Sequence, residues 1–153
     1  MKTPQRLLLQ EITRVESNER AKDSLLIFPI GALEQHGPHL PVGTDDFQVE
    51  ALTGAAAKLA SGKIPVVVAP TLPFGSSQHH VPFGGTMSIG TETYYRLLVD
   101  LLESLIKGGY RRFFVVNGHG GNHELAQLAA RDLALRHPIS IAAASFWTVA
   151  WDA

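Results

Sequence analysis

One pattern repeats along the sequence: a short apolar run, a loop rich in glycine and proline, and then a segment with helical spacing. Ser24–Ile30 is the first run, and its loop leads to a helix expected over about Asp46–Leu59, with Phe47, Leu52, Ala55, Ala56 and Leu59 inward. Pro65–Pro70 is the second run. A long loop follows it, and then a helix over roughly Thr91–Lys107 that places Tyr94, Leu97, Leu98, Leu101, Leu102, Leu105 and Ile106 on one stripe. Gly108 and Gly109 stop that helix, as glycine does at a helix C-terminus. Arg112–Val116 is the third run, Glu124–Arg136 the third helix, and Ile139–Ala144 a fourth strand beyond the breaker Pro138. The runs are continuous rather than alternating, so both strand faces are expected to be buried. Strand–helix–strand repetition of this kind means a parallel sheet joined by right-handed crossovers. The expected fold is α/β: one three-layer domain over 1–153, its sheet mostly parallel and covered by helices on both faces.

Composition narrows the function. Apolar residues make up 45% of the chain, enough for a core in one domain. Charged residues are only 18% and the formal net charge is −1, so no basic surplus exists to neutralise a phosphate backbone, and nucleic acid is not expected as a partner. There is no cysteine, which excludes a disulfide framework, thiolate catalysis and Cys-ligated zinc. The N-terminal segment lacks the apolar centre of a signal peptide, and runs such as Leu25–Ile30 and Ile64–Ala69 are too short to span a bilayer. A soluble, cytoplasmic protein with no membrane partner is expected.

In open parallel sheets, function gathers at the carboxyl ends of the strands. Three strand-to-helix loops, Gly31–Thr44, Thr71–Gly90 and Asn117–Gly121, hold six of the seven histidines when His123 at the start of the third helix is included. In the first loop, GALEQHGPHLPVGTDD, Glu34 and His36 are one residue apart and leave extended backbone on the same side. Asp45 closes this loop, and a carboxylate can bridge adjacent cations with its two oxygens. Proline and glycine stiffen the segment, so its donors need little ordering on binding. The plain alternative is that Asp45 merely caps a helix and Glu34 is merely solvated.

The third loop, NGHGGNHE, presents His119 directly after a strand. It is neither a dinucleotide fingerprint, because His123 stands where the last glycine belongs, nor a zincin helix, because Gly120 occupies the glutamate place. His123 and Glu124 open the helix, where a capping or solvent-facing role is expected. In the middle loop, GSSQHHVPFGGTMS, His79 or His80 could line a site and Ser77, Thr86 and Ser88 could position a polar substrate. Local hydrogen bonding would account for these residues equally well. No serine lies in a G-x-S-x-G elbow, so a serine hydrolase is unsupported.

These residues resemble the creatininase (creatinine amidohydrolase) family: the stretch EQHGPHLP from Glu34 to Pro41, then Thr44-Asp45, then NGHGGN from Asn117 to Asn122. The stretch His80-x-x-Phe83-x-Gly85-Thr86-x-Ser88 is also similar to the family's middle-loop motif, with Gly84 where proline is usual. The likeness runs from about residue 24 to the end. It implies a three-layer α/β fold and two divalent cations, zinc first, with manganese or iron as alternatives. By position, Glu34 and His119 would bind one cation, His36 the other, and Asp45 would bridge them and share in catalysis. The resemblance further implies hydrolysis of a cyclic, creatinine-like amide by water activated between the cations, and a homo-oligomer, commonly a hexamer.

Two departures from the family pattern stand out. Gly121 occupies the place of a glutamate ligand of the second cation, which relatives of the GHGGN form are thought to replace with a later glutamate. The family's later H-x-G-x-x-E-T-S motif, with its acid/base histidine, is absent, so the chain is expected to lack the C-terminal portion. His80 is then the candidate proton donor within this sequence, and Trp147 and Trp151 are candidates to line a pocket. Rival readings are a formamide hydrolase acting on a nucleotide-biosynthesis intermediate, a peptide hydrolase, and a non-catalytic metal-binding or assembly module.

Overall fold

The computed structural model describes residues 6–149. The chain forms α1 (Arg14–Ala21), β1 (Leu25–Ile30), α2 (Thr44–Ala60), β2 (Val66–Val68), α3 (Thr91–Lys107), β3 (Arg112–Asn117), α4 (His123–Arg136), β4 (Ser140–Ser145) and α5 (Phe146–Val149). The four strands are parallel in the order β2-β1-β3-β4. The first crossover carries the chain from β1 outward to β2, and the second returns it past β1 to β3. Right-handed crossovers running in opposite directions must place their helices on opposite faces of the sheet.

Packing agrees with that rule. Leu26, Phe28 and Ile30 of β1, with Phe113 and Val115 of β3, meet Tyr94, Leu98, Leu102 and Ile106 of α3 and Ala126, Ala129 and Leu133 of α4. Ile27 and Val116 project to the other face, where Val49 and Ala57 of α2 cover them. The three layers are therefore α1, α3 and α4, then the sheet, then α2. Among the described residues, no helix is long and apolar enough to cross a membrane.

The α3 stripe lies as its periodicity predicts, with Leu101 at the solvent rim. Helix α2 does not. It begins at Thr44, ahead of the predicted start, and its buried residues run Asp45, Val49, Thr53 and Ala57 at a spacing of four. Phe47 and Leu59, expected inside, are 61% and 79% exposed, Leu52 is exposed, and so are Ala55 and Ala56. The polar end of the helix is anchored at the site described below, and small residues let it lie close to the sheet; counting apolar residues selects the opposite face. Continuous burial holds in β1 and β2 but not in β4, an edge strand with Ser140 and Ala142 exposed. Helix α2 packs mainly on β1 and β2, so the β3–β4 half of that face carries a groove of about 340 Å³ lined by Ile27, Leu52, Phe114, Val116 and Phe146 among others.

Helix α1 was not anticipated, although Thr13 and Glu16 form a full capping box at its start.

Candidate metal centre

Strands β1 and β3 are neighbours, and the chain leaves their carboxyl ends in opposite directions. Such a switch point opens a crevice between the two following loops. Glu34 and His36 enter it from the loop after β1, Asp45 from the first turn of α2, and His119 from the loop after β3. Glu34 is 5% exposed and His119 3% exposed. The β1 loop passes so close to α2 that a Cβ at Gly31 would lie 2.1 Å from Asp46 Oδ1, which leaves room only for glycine.

The two central histidines are oriented alike. His36 Nδ1 lies 3.1 Å from the Glu34 carbonyl oxygen, and its Nε2 lies 3.1 Å from Asp45 Oδ1. His119 Nε2 lies 3.2 Å from the Ser76 carbonyl oxygen, and its Nδ1 lies 3.0 Å from Asp45 Oδ2. A carbonyl only accepts, so in each neutral ring the nitrogen beside it carries the proton. The other nitrogen then turns a lone pair toward one oxygen of Asp45. Lone pairs facing both oxygens of one carboxylate require a proton or a cation in each gap. Asp45 is therefore no helix cap: it is buried between two imidazoles, and Gly43 holds the cap position without a side-chain bond.

Glu34 strengthens that demand. Its Oε1 lies 3.2 Å from His119 Nδ1 and 3.5 Å from His80 Nε2, while its Oε2 is buried with no hydrogen-bond partner. A buried, unpartnered carboxylate oxygen is costly unless a cation satisfies it. Burial alone works against a charged His119, but the hydrogen bond to Asp45, the charge of Glu34, the Ser76 carbonyl and the charge of Asp45 outweigh it and raise the pKa above the ordinary histidine value. Two groups of donor atoms fall within reach of a common ion: Glu34, His36 and Asp45, and Glu34, His79 and His119. The four residues singled out as ligands in the sequence thus converge, and the donor set suits divalent cations that accept nitrogen and oxygen.

The middle loop supports this cluster. Gln35 Oε1 accepts from the Gly37 amide, so its Nε2 group faces His80 Nδ1 at 2.6 Å and donates to it. That bond puts the His80 proton on Nε2, on the side of Glu34. Thr86 Oγ1 accepts from the Gln35 amide, and Ser88 Oγ accepts from the Ser77 amide, so both hydroxyls are engaged in holding the loops together. Ser77 Oγ lies 3.1 Å from His119 Nε2. Trp147 stacks edge-on against Phe146 in α5, and no described contact joins it to the cluster; Trp151 lies outside the described residues. His39 is exposed, His123 binds Ser145 Oγ, and His137 pairs with Glu103 at the far end of α4.

Three supporting residues escaped the sequence reading. Asn117 Oδ1 accepts from the His119 amide, and its Nδ2 donates to the His119 carbonyl, clamping that residue from both sides. Asn122, fully buried, accepts from the Ser76 amide and donates to the Gly31 carbonyl, tying the three loops together. Burial, then the neighbouring charges of Asp45 and Glu50, push the Asp46 carboxyl up to about 7 behind the cluster, against the pull of a hydrogen bond from Ala32. The NGHGGN motif flagged the two asparagines only as part of a resemblance.

A parallel α/β sheet with a carboxylate–imidazole cluster at its switch point defines a class: α/β proteins that gather candidate metal ligands in a crevice beside the strand ends. Residues 10–153 match the family described as Creatininase: Creatinine amidohydrolase, and the chain belongs to that family. It is 43% identical over 115 residues to a mycofactocin precursor peptide peptidase of Mycolicibacterium smegmatis, a match covering 74% of this chain and 45% of that protein. It is 32% identical over 126 residues to a creatinine amidohydrolase of Pseudomonas putida, covering 79% and 46%. A solved structure described as creatininase Mn superposes with a TM-score of 0.82 at 29% identity, over 94% of this chain and 60% of that one. The chain thus spans about half the length of the curated relatives it matches.

Proposed function

We propose that this chain carries the metal-holding part of a hydrolase that cleaves an amide C–N bond. The observation that supports this most directly is Asp45, whose two oxygens lie 3.1 and 3.0 Å from the lone-pair nitrogens of His36 and His119. Glu34, His36, Asp45 and His119 are the residues that would hold two divalent cations, zinc, manganese or iron. Bound there, such cations would supply a more acidic water and a Lewis acid for a carbonyl oxygen. The chain's own residues supply the rest. Asp45 fixes the spacing of the two positions, and the carbonyls of Glu34 and Ser76 hold the imidazoles in their ligating tautomers. His80, kept as the Nε2–H tautomer by Gln35, would relay a proton: it would give its own to a departing nitrogen and take up the one that the attacking water loses, so that the ring ends neutral as it began.

A peptide amide is the substrate class this reading favours over the cyclic, creatinine-like amide expected from the sequence. The 43% identity to a named peptide peptidase, against 32% to a creatinine amidohydrolase, supports that order. The creatinine amidohydrolase keeps the cyclic amide as the second reading. Self-association, in the hexamer that the resemblance implies, belongs to the same proposal and is supported by the exposed apolar side of α2.

Metal analysis of the purified chain tests the core of the reading, alongside Glu34→Ala and His119→Ala. Near two cations per chain, lost in both variants, is the expected result; unchanged metal content in both variants ends the proposal. Peptides and creatinine, offered to the loaded protein in parallel, then distinguish the substrate classes.

A further inference from the structure

Two buried polar atoms near the end of β1 have no hydrogen-bond partner: Asp46 Oδ1 on α2 and the Tyr94 hydroxyl on α3. The two helices cover opposite faces of the sheet, yet both side chains come to the same strand end. Asp46 Oδ1 takes the space that a side chain at Gly31 would need, 2.1 Å from its Cβ position. Tyr94, fully buried, packs in the cluster that contains Ile30, the residue before Gly31. Gly31, having no side chain, leaves the strand end open between the two layers.

Burial makes both atoms demanding, because a hydroxyl or carboxyl oxygen removed from water without a partner is costly. A phenylalanine would fill the core as well as Tyr94 does, so packing does not account for the hydroxyl. Burial, and then the charge of Asp46, push the Tyr94 pKa up, so the phenol keeps its proton and offers a donor. Asp46 Oδ1 can accept it whether or not the other carboxyl oxygen carries a proton.

The place of Asp46 gives such a bond a consequence. Helix α2 begins without a side-chain cap, since Gly43 holds the N-cap position. Two consecutive carboxylates leave its first turn about 100° apart. Asp45 points to the two imidazoles and Asp46 to Gly31. A rotation of the helix that displaces one displaces the other.

Resting on the reading above, we propose that Tyr94 is a positioning residue for the metal centre. Its hydroxyl donates to Asp46 Oδ1, directly or across one water, and so fixes the turn of α2 that presents Asp45 to His36 and His119. Tyr94 itself holds no cation; it acts through Asp46, and the link joins α3 to α2 through the opening at Gly31.

The test uses zinc alone, added to the metal-free 153-residue chain, with Tyr94→Phe, Asp46→Leu, Asp46→Asn and the double variant Tyr94→Phe/Asp46→Leu beside the wild type. Competition with a chelator at one pH reports affinity, urea unfolding reports stability, and circular dichroism verifies that each variant is folded. Tyr94→Phe and Asp46→Leu are each expected to weaken zinc binding by about tenfold. The double variant should bind no more weakly than Asp46→Leu and should be more stable than it, because the orphaned hydroxyl is gone. Asp46→Asn, which keeps an acceptor oxygen, should retain most of the affinity. If Tyr94→Phe binds zinc as the wild type does, or if the two single losses simply add, this inference falls; loss of zinc in Glu34→Ala and His119→Ala then leaves the metal centre standing. A wild type that binds no zinc, cobalt or manganese overturns both.

Discussion

His119 and Asp45 stand seventy-four residues apart in sequence, and Nδ1 of the first lies 3.0 Å from Oδ2 of the second. The opposite nitrogen of the same ring faces the Ser76 carbonyl at 3.2 Å. The position between His119 and Asp45 therefore takes a proton or a cation, and the two compete for one lone pair.

That competition has a sign. The pKa of His119 is raised, so in the metal-free protein the ring keeps its proton to higher pH than an ordinary histidine. Cation binding must expel this proton, and affinity falls as pH falls below the raised pKa, approaching about tenfold per pH unit for a single displaced proton. Zinc affinities measured by chelator competition between pH 6 and pH 8 should rise with pH, with proton release detectable in weakly buffered solution. A flat profile would contradict the assigned orientation of His119.

Asn122 is the mechanical link between the three loops. Asn122→Ala leaves the Ser76 amide and the Gly31 carbonyl without the partners they now have. Two buried backbone groups orphaned at once should cost on the order of 2–4 kcal/mol. Urea unfolding of the metal-free protein measures this directly. Zinc affinity should drop as well, because the Ser76 carbonyl orients His119. A change under about 0.5 kcal/mol would put Asn122 among ordinary surface positions.

Asp46 opposes folding at neutral pH in the metal-free state. Its carboxyl titrates near 7 in the folded chain against an ordinary value of 3.8, chiefly because burial penalises the charge. The folded state therefore binds the proton more tightly than the unfolded one. Its favourable contribution is complete below pH 3.8 and is lost as pH rises through about 7. Asp46→Asn removes this dependence. Between pH 5 and pH 8, the melting temperature of the metal-free variant should fall less than that of the wild type. Equal falls would mean that Asp46 is ionised throughout.

His80 and the ligands should separate by readout. Its Nε2 faces Glu34 at 3.5 Å and its Nδ1 is taken by Gln35, so it is poised as a donor beside the cluster. His80→Gln should keep cation content while lowering hydrolysis of a peptide substrate by about 10²- to 10⁴-fold, the range of a lost general acid. Loss of cations in this variant would instead make His80 a ligand.

The sequence was most legible where chemistry and backbone constraint coincide. Continuous apolar runs located all four strands, and the Glu34–His36 spacing, Asp45 and His119 marked the loops that meet at the switch point. The inward face of α2 could not be read, because the stripe Asp45, Val49, Thr53, Ala57 is half polar and small, and its burial is dictated by the site rather than by hydrophobicity. The choice between His79 and His80 was equally hidden. Adjacent residues on a 3₁₀ turn point in different directions, and only the packing of Gln35 against one of them fixes which is which. Asn117 and Asn122 bond to backbone, a role that leaves no periodic trace. Helix α1 did carry a signal, the Thr13–Glu16 box, on a segment too polar for the apolar count to register.

The outer side of α2 yields the last prediction. Phe47, Ala51, Ala55 and Leu59 recur every four residues along it and are exposed, with Leu52 beside them. An apolar ridge at this spacing matches the groove of another helix, and an exposed ridge on a water-facing helix marks an interaction surface. If it is the seam of the proposed homo-oligomer, Phe47→Lys combined with Leu59→Lys should shift sedimentation of the chain to that of a monomer. Both positions are outside the core, so folding stability should change by no more than about 0.5 kcal/mol each. Cation content should be retained, because neither side chain belongs to the cluster. A wild type that sediments as a monomer across micromolar concentrations would remove self-association from the proposal, and the ridge would then need a different partner.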